Sequence, residues 1–307
     1  MKNIIAPIDR NILLQELTKD KFIKSTNKGG NEIYIVTYQN APNVVKEIGR
    51  LREISFRDAG GGTGLDCDLD EFDTTSENPF KQLLVWDPQE KEIVGGYRFI
   101  DGSTLKRDAK GLIETPTCEL FGLSEKFITD YLPYTIELGR SFVQPMYQPT
   151  VDIRKGMYAL DNIWNGLGAI VVQHPNMKYF FGKITMYPHF NPEARDFILF
   201  FLKKYFGDKN KLVYPYNPLK TETDENFINS HFTGKTYEEN YKILVGEVRK
   251  RGEHIPPLVN AYTNLSSSML FFGTSLNPPF GNVEESGILV TINDIYNDKK
   301  ERHLKEF

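Results

Sequence analysis

The sequence predicts an α/β fold: a mixed, mostly antiparallel central sheet flanked by helices, with a C-terminal extension. Segments 32–38, 81–87, 91–101, 134–143 and 178–187 read as strands, while residues 44–54 and 157–170 place apolar side chains at helical spacing. Only a short polar turn around Pro88 separates the second and third of these strands, so they form an antiparallel pair. The overall order is strand, helix, strand, strand, helix, strand, helix, strand, helix, with the antiparallel pairing concentrated in the first half.

Each element has a local cause. Residues 9–19 form a short amphipathic helix from Ile12, Leu13, Leu14 and Leu17, with Asp9 placed to cap it. Val44, Val45, Ile48, Leu51 and Ile54 keep helical spacing and leave Arg52 one position beyond the buried stripe. The run AGGGTGLD at 59–66 holds too many glycines for a helix and is a loop. Residues 124–132 read as helical, and YTIELGRSFV at 134–143 as the next strand. Met157, Leu160, Ile163, Trp164, Leu167 and Ile170 mark a long buried helix, followed by the strand KYFFGKITMY. Asn191 and Pro192 supply a cap and a proline at the first helical position for 192–206, which Gly207 ends. Beyond about residue 208 the pattern weakens, leaving helices at 237–250 and 257–265 and a strand at 287–294. The expected division is an N-terminal segment (1–31), a core (32–206) and an extension packed on it (207–307).

A chain of 307 residues, 40% hydrophobic and 25% charged, can bury a large core. Its net charge of −4 gives no global basic field, so nucleic acid is not an expected partner. Two cysteines, Cys67 and Cys118, are too few for a disulfide framework and fit a reducing compartment. The start lacks a long apolar leader and no 18-residue apolar run occurs, so the expected location is cytoplasmic. Lys19, Lys21, Lys24 and Lys28 follow the first helix. They fit a solvated connection or, beside an apolar face, peripheral contact with anionic lipid.

The chemistry-bearing feature is an ordered series of charges on or beside apolar stretches: Arg52, with Phe56 one turn on, then Asp70, Asp73, Arg98, Glu137 and Arg140. Ionised groups are costly there unless paired or used. The glycine loop lacks the Gly-Lys-Ser/Thr ending of a P-loop and fits either a flexible cover over substrate or a plain turn. DLDEFD at 68–73 lacks the glycine and terminal glutamate of an EF-hand, so no metal is expected; its acids suit pairing with arginines or attracting an amine. Strand alternation sets Glu137 and Gly139 on one face, Leu138 and Arg140 on the other. A glutamate facing a buried cleft has a raised pKa and suits a general base for an ammonium, although a structural salt bridge is an equal reading. The histidines show no metal-ligand spacing, and no Gly-x-Ser-x-Gly elbow occurs.

Together these residues resemble two groups of the GNAT-like acyltransferase superfamily. The series Arg52…Phe56…Asp70-x-x-Asp73…Arg98…Phe121…Glu137-x-x-Arg140 resembles the acyl-homoserine-lactone synthases. LREISFRDAGGGTGLDCDLDEFD, EIVGGYRF, ELGRSFVQPMYQ and LDNIWNGLGAIVVQHPNMKYFFG are closer to the ornithine-lipid and glycine-lipid N-acyltransferases, often labelled hemolysins. The likeness covers about residues 32–206 in order.

The resemblance implies a GNAT-like fold that moves a fatty acyl group from a thioester to the α-amine of an amino acid. Glu137 and Arg140 would be catalytic, and Arg52, Phe56, Asp70, Asp73, Arg98 and Phe121 would bind the substrate. In such folds the strand carrying Glu137 splays from the next, the pantetheine arm enters between them beside Phe142 and Val143, and backbone N–H groups steady the oxyanion. The usual CoA signature before the long helix is broken here: the chain reads YQPTVDIRKGMYA, leaving Arg154, Lys155 and Gly156 to meet a phosphate. That departure fits acyl carrier protein as donor and partner rather than acyl-CoA, with no tightly bound cofactor. Alternatives are an acetyl-CoA-dependent small-molecule acetyltransferase, a signal synthase acting on S-adenosylmethionine, and a membrane-active hemolysin or lipid-binding protein without catalysis.

Overall fold

The computed structural model describes residues 1–74, 77–148 and 150–304, the last three of these by backbone alone. The chain forms two compact units that interleave along the sequence. One comprises Met1–Thr115, Pro133–Met177 and the chain from Asn297; the other comprises Pro116–Leu132 and Lys178–Tyr296.

The first unit opens with α1 (Arg10–Glu16), which Asp9 caps by accepting the Asn11 N–H at 2.8 Å. It continues with β1 (Phe22–Ser25), β2 (Glu32–Val36), α2 (Pro42–Asp58), α3 (Glu71–Thr74), β3 (Lys81–Asp87) and β4 (Glu92–Asp101). After β5 (Phe121–Leu123), which belongs to the second unit, come β6 (Thr135–Val143), α4 (Ile153–Gly156) and α5 (Ala159–Gln173). Strands β1, β2, β3, β4 and β6 pair in that order, each antiparallel to its neighbour. The expected pair at 81–101 is therefore β3 and β4, turned by Asp87 accepting the N–H groups of Gln89 and Glu90. Residues 1–31 contribute β1 to this sheet.

Helix α5 packs on β3 and β4, and α2 packs on β6. Two readings of these helices are corrected. Met157 lies before α5 and is 56% exposed, because the long helix starts only at Ala159. Arg52 is wholly buried rather than beside the buried stripe, because carboxylates await it inside. The glycine loop is pinned rather than loose. Buried Glu53 accepts Thr63 N–H (3.0 Å), Thr63 Oγ1–H (2.7 Å) and Gly64 N–H (2.8 Å). Gly60, Gly62 and Gly64 take φ of +91°, +93° and +74°, backbone that other residues enter only with strain.

The second unit adds β7 (Tyr179–Met186), α6 (Pro192–Phe206), β8 (Val213–Pro215), α7 (Glu225–His231), α8 (Tyr237–Lys250), α9 (Pro257–Thr263), β9 (Leu270–Asn277) and β10 (Val283–Thr291). Here β10 lies between β7 and β9, antiparallel to both, and β5 pairs with β8. Residues beyond 207 thus supply strands to the sheet that holds β7. Helix α6 begins and ends where its signals stand: Asn191 accepts Ala194 N–H at 3.1 Å, and Gly207 closes it. The last helix, α10 (Asn297–Leu304), packs on α5 in the first unit.

Candidate functional site

Three aspartates and three arginines meet inside the first unit. Helix α2 brings Arg52; its Nε lies 2.9 Å from Asp68 Oδ2 and its Nη2 3.2 Å from Asp73 Oδ2. Strand β4 brings Arg98, whose Nη1 reaches Asp70 at 2.8 Å and Asp73 at 3.0 Å. Strand β6 brings Arg140, whose Nε lies 3.1 Å from Asp68 Oδ2. Gln82 of β3 donates to Asp73 at 2.8 Å. The structure thus joins Arg52, Asp70, Asp73, Arg98 and Arg140 and adds Asp68 and Gln82.

The network runs from the interior to the surface. Arg52 and Asp73 are 0% exposed, Asp68 1% and Arg98 2%, whereas Asp70 is 31% exposed and Arg140 20%. Burial alone would raise the carboxyl pKa values, yet Arg140 and Arg52 outweigh it at Asp68, and Arg52 and Arg98 outweigh it at Asp73. Both carboxyls are held below the usual range. Burial would likewise lower the Arg52 pKa, but Asp68 and Asp73 raise it. At Arg140, by contrast, burial outweighs the attraction of Asp68 and holds the guanidinium pKa below its ordinary value.

A bulge aims Arg140. Gly96 pairs with Phe142 and Arg98 with Gly139, so Arg140 and Ser141 stand opposite Tyr97 alone. Arg140 has φ +53°, the left-handed region that a residue with a side chain enters only under constraint. The bulge overturns the alternation reading, which set Arg140 on the face away from Gly139. Arg140 instead joins the network of Arg98, the cross-strand partner of Gly139.

Other expected residues lie as follows. Glu137 is buried on β6 opposite Ile100. Phe56 is buried on α2, one turn beyond Arg52. Phe142 and Val143 end β6, facing Gly96 and Gly95 of β4. Arg154, Lys155 and Gly156 belong to α4, a separate single turn before α5. Asp152 accepts the N–H groups of Arg154 (2.9 Å) and Lys155 (3.1 Å), and Lys155 Nζ lies 3.2 Å from Glu90. Those two amides therefore already have an anion, and what Arg154 and Lys155 offer a donor is side-chain charge. Phe121 is buried on β5 in the second unit. The sequence reading counts Asp68 among the acids of DLDEFD that suit pairing with arginines but does not single it out as a site residue, and it leaves out Glu53 and Gln82.

Comparison with known proteins places this geometry. Residues 51–154 match the family described as an acetyltransferase (GNAT) domain, a span holding all six charges of the network. The chain is 55% identical over 307 residues to a protein of Phocaeicola vulgatus named glycine N(alpha)-acyltransferase, covering 100% of this chain and 94% of that relative. A protein of Bacteroides thetaiotaomicron with the same name is 53% identical over 307 residues, covering 100% of this chain and 91% of the relative. No solved structure matches.

The network makes a stability prediction. Asp68→Asn leaves Arg52 and Arg140 without their shared carboxylate and should cost about 3–5 kcal/mol in denaturant unfolding, the usual loss on breaking a buried pair. A loss under about 1 kcal/mol contradicts this. Because the folded-state carboxyl pKa values lie below the unfolded value of about 3.9, the stabilisation is complete above that pH and lost as pH falls through the lower folded values. Acid unfolding should begin below about pH 4 and be less steep in Asp68→Asn.

Proposed function

The chain belongs to the family of the glycine N(alpha)-acyltransferases, and from that membership we propose that it moves a fatty acyl group from an acyl carrier protein thioester to the α-amine of glycine, as a step in aminolipid synthesis. That the chain is an amino-acid N-acyltransferase is the premise; the acceptor, donor and pathway are the proposal. The observation that carries it is the buried network whose partly exposed end presents Arg140, on the same strand as Glu137.

In this reading Arg140 takes the acceptor's carboxylate, for which a guanidinium fork is suited. Glu137 removes a proton from the acceptor ammonium, directly or through water, so that nitrogen carries a free pair. That pair attacks the thioester carbonyl carbon, and backbone N–H groups of β6 near the bulge steady the oxyanion. As the intermediate collapses, the C–N bond is kept and the C–S bond breaks. The thiolate leaves with the electron pair and takes up the proton that Glu137 had accepted. The nitrogen, still carrying two protons after attack, gives up the second to Glu137 and from there to water, leaving a neutral amide. Arg52, Asp68, Asp73 and Arg98 touch no reacting atom and hold Arg140 in place.

The broken CoA signature supports a carrier-protein donor docking beside Arg154 and Lys155. Among the described residues no helix is long and apolar enough to cross a membrane. Ile12 and Leu14 on α1 are 41% and 38% exposed while Leu13 and Leu17 are buried, which supports peripheral contact with lipid as part of the same proposal. The deciding experiment incubates the protein with acyl carrier protein thioesters and an amino-acid mixture, followed by mass spectrometry. N-acylglycine is expected; transfer of acetyl from acetyl-CoA alone overturns the reading.

Two variants probe the roles. Glu137→Gln should lower turnover about 100-fold or more if base catalysis has its usual worth. Near-normal turnover by the folded variant removes Glu137 from the mechanism. Reversing both charges, Arg154→Glu with Lys155→Glu, should raise the KM for carrier-bound donor and weaken its salt dependence. A minimal pantetheine thioester, lacking the carrier's acidic surface, should be much less affected. Equal losses with both donors contradict docking there.

A further inference from the structure

The first unit holds a cavity of about 390 Å³ that none of the charged-network residues lines. Its walls come from residues 7–13, α2, the start of β4 and residues 144–146 just beyond β6. Leu13, Leu51 and Ile93 are 3%, 4% and 1% exposed and form an apolar floor. Arg10 and Lys91 stand exposed at the mouth. Small-molecule sites span roughly 300–1,000 Å³, so a cavity at the low end suits one single-chain molecule rather than a two-chain lipid.

The charges around this cavity are matched except at one point. Arg50 pairs with Glu47 through two bonds, Nε to Oε2 at 2.8 Å and Nη2 to Oε1 at 2.6 Å, and Arg10 pairs with Glu92. Glu47 also accepts the Ile8 N–H at 3.0 Å, which ties residues 7–13 to α2. Lys91 is the third cation, and among the described residues no carboxylate pairs with it. Its backbone takes φ +56° in the turn between β3 and β4, a left-handed conformation in which glycine is the less strained residue. A lysine held there keeps one positive charge at the mouth at a cost in backbone strain, and such costs gather at ligand sites. The complement of this cavity is therefore an apolar chain that ends in a single negative charge.

We propose that this cavity binds a single-chain alkyl carboxylate, with the chain on Leu13, Leu51 and Ile93 and the carboxylate against Lys91. It is a second site, apart from the residues given to acyl transfer. On the acyl-transfer reading above, the molecule of this class that the protein itself releases is its N-acyl amino acid; a free fatty acid has the same chemistry. Each methylene buried on the floor tightens binding about fourfold. Alkyl alcohols lack the charge and acetate lacks the chain, so neither satisfies both ends of the site.

The test is isothermal titration calorimetry of the full chain with octanoate, N-octanoylglycine and octanol. Neither thioester nor acceptor is present, so its failure and the failure of the acyl-transfer reading are distinguishable. Octanoate should bind about tenfold more tightly than hexanoate. Lys91→Gly suits the left-handed backbone, so it should melt no lower than wild type. It should weaken octanoate about fivefold, the worth of one exposed ion pair, and change octanol less than about twofold. Lys91→Arg should keep octanoate within about twofold of wild type, and Ile54→Trp, which fills the cavity, should abolish binding of all three. Tighter binding of N-octanoylglycine than of octanoate supports the site as one for the product; the reverse supports it as one for fatty acid. Octanoate binding unchanged in Lys91→Gly overturns the proposal, as do equal losses of octanoate and octanol, which would assign Lys91 to structure alone. Binding that survives in a folded Ile54→Trp protein also overturns it, because the chain would then lie on the outer surface. Should Ile54→Trp fail to fold, the Lys91→Gly comparison decides by itself.

Discussion

The first unit depends on a constraint of charge: Arg52 and Arg98 have left water and Arg140 is only partly exposed, and the carboxylates of Asp68, Asp70 and Asp73 make that tolerable. Guanidinium groups do not shed their protons, so each must be matched within bonding distance or remain outside. The match draws α2, the 68–73 segment, β4 and β6 to one point, because the six charged groups come from those elements. Mixed ion networks of this kind add little stability compared with apolar packing of the same volume, but breaking one is expensive. Such a network therefore fixes geometry more than it strengthens the fold.

What it fixes is the path of β6. A bulge with Arg140 in the left-handed region would relax in an isolated strand, and the pull of Asp68 on Arg140 holds it. Strand β6 also carries Glu137, so the network and the proposed base share one rigid element. The second unit draws carboxylates to an arginine without cancelling them: Arg195 is shared by Asp196, Glu284 and the more exposed Glu222.

How much of this was legible in the sequence depends on how local each cause is. Helix α6 could be placed because its limits are set by neighbours in the chain: Asn191 bonds three residues ahead, Pro192 starts the helix and Gly207 stops it. The pair β3 and β4 was legible because a short turn dictates its pairing. Membership of the charged series could be read from its order along the chain, but not its depth. Helical periodicity treats a charged residue as solvent-facing, so Arg52 was set at the edge of a stripe whose interior it occupies. Asp68 was hidden among four acids, since only the fold distinguishes the one that two arginines reach. The bulge at Arg140 leaves no mark on an alternating pattern, and β9 escaped notice because Gly273, at φ +92°, interrupts its alternation.

The claim that these charges act as a unit is tested most directly by a double-mutant cycle on Arg52→Met and Asp73→Leu, read by denaturant unfolding. If the network is one cooperative object, each single change strands a buried charge and the pair of changes strands fewer. The double variant should then be more stable than the sum of the singles by at least about 1 kcal/mol, within the usual range for contacting residues. Additivity to within about 0.5 kcal/mol would contradict the account, because it would mean the two side chains do not depend on each other.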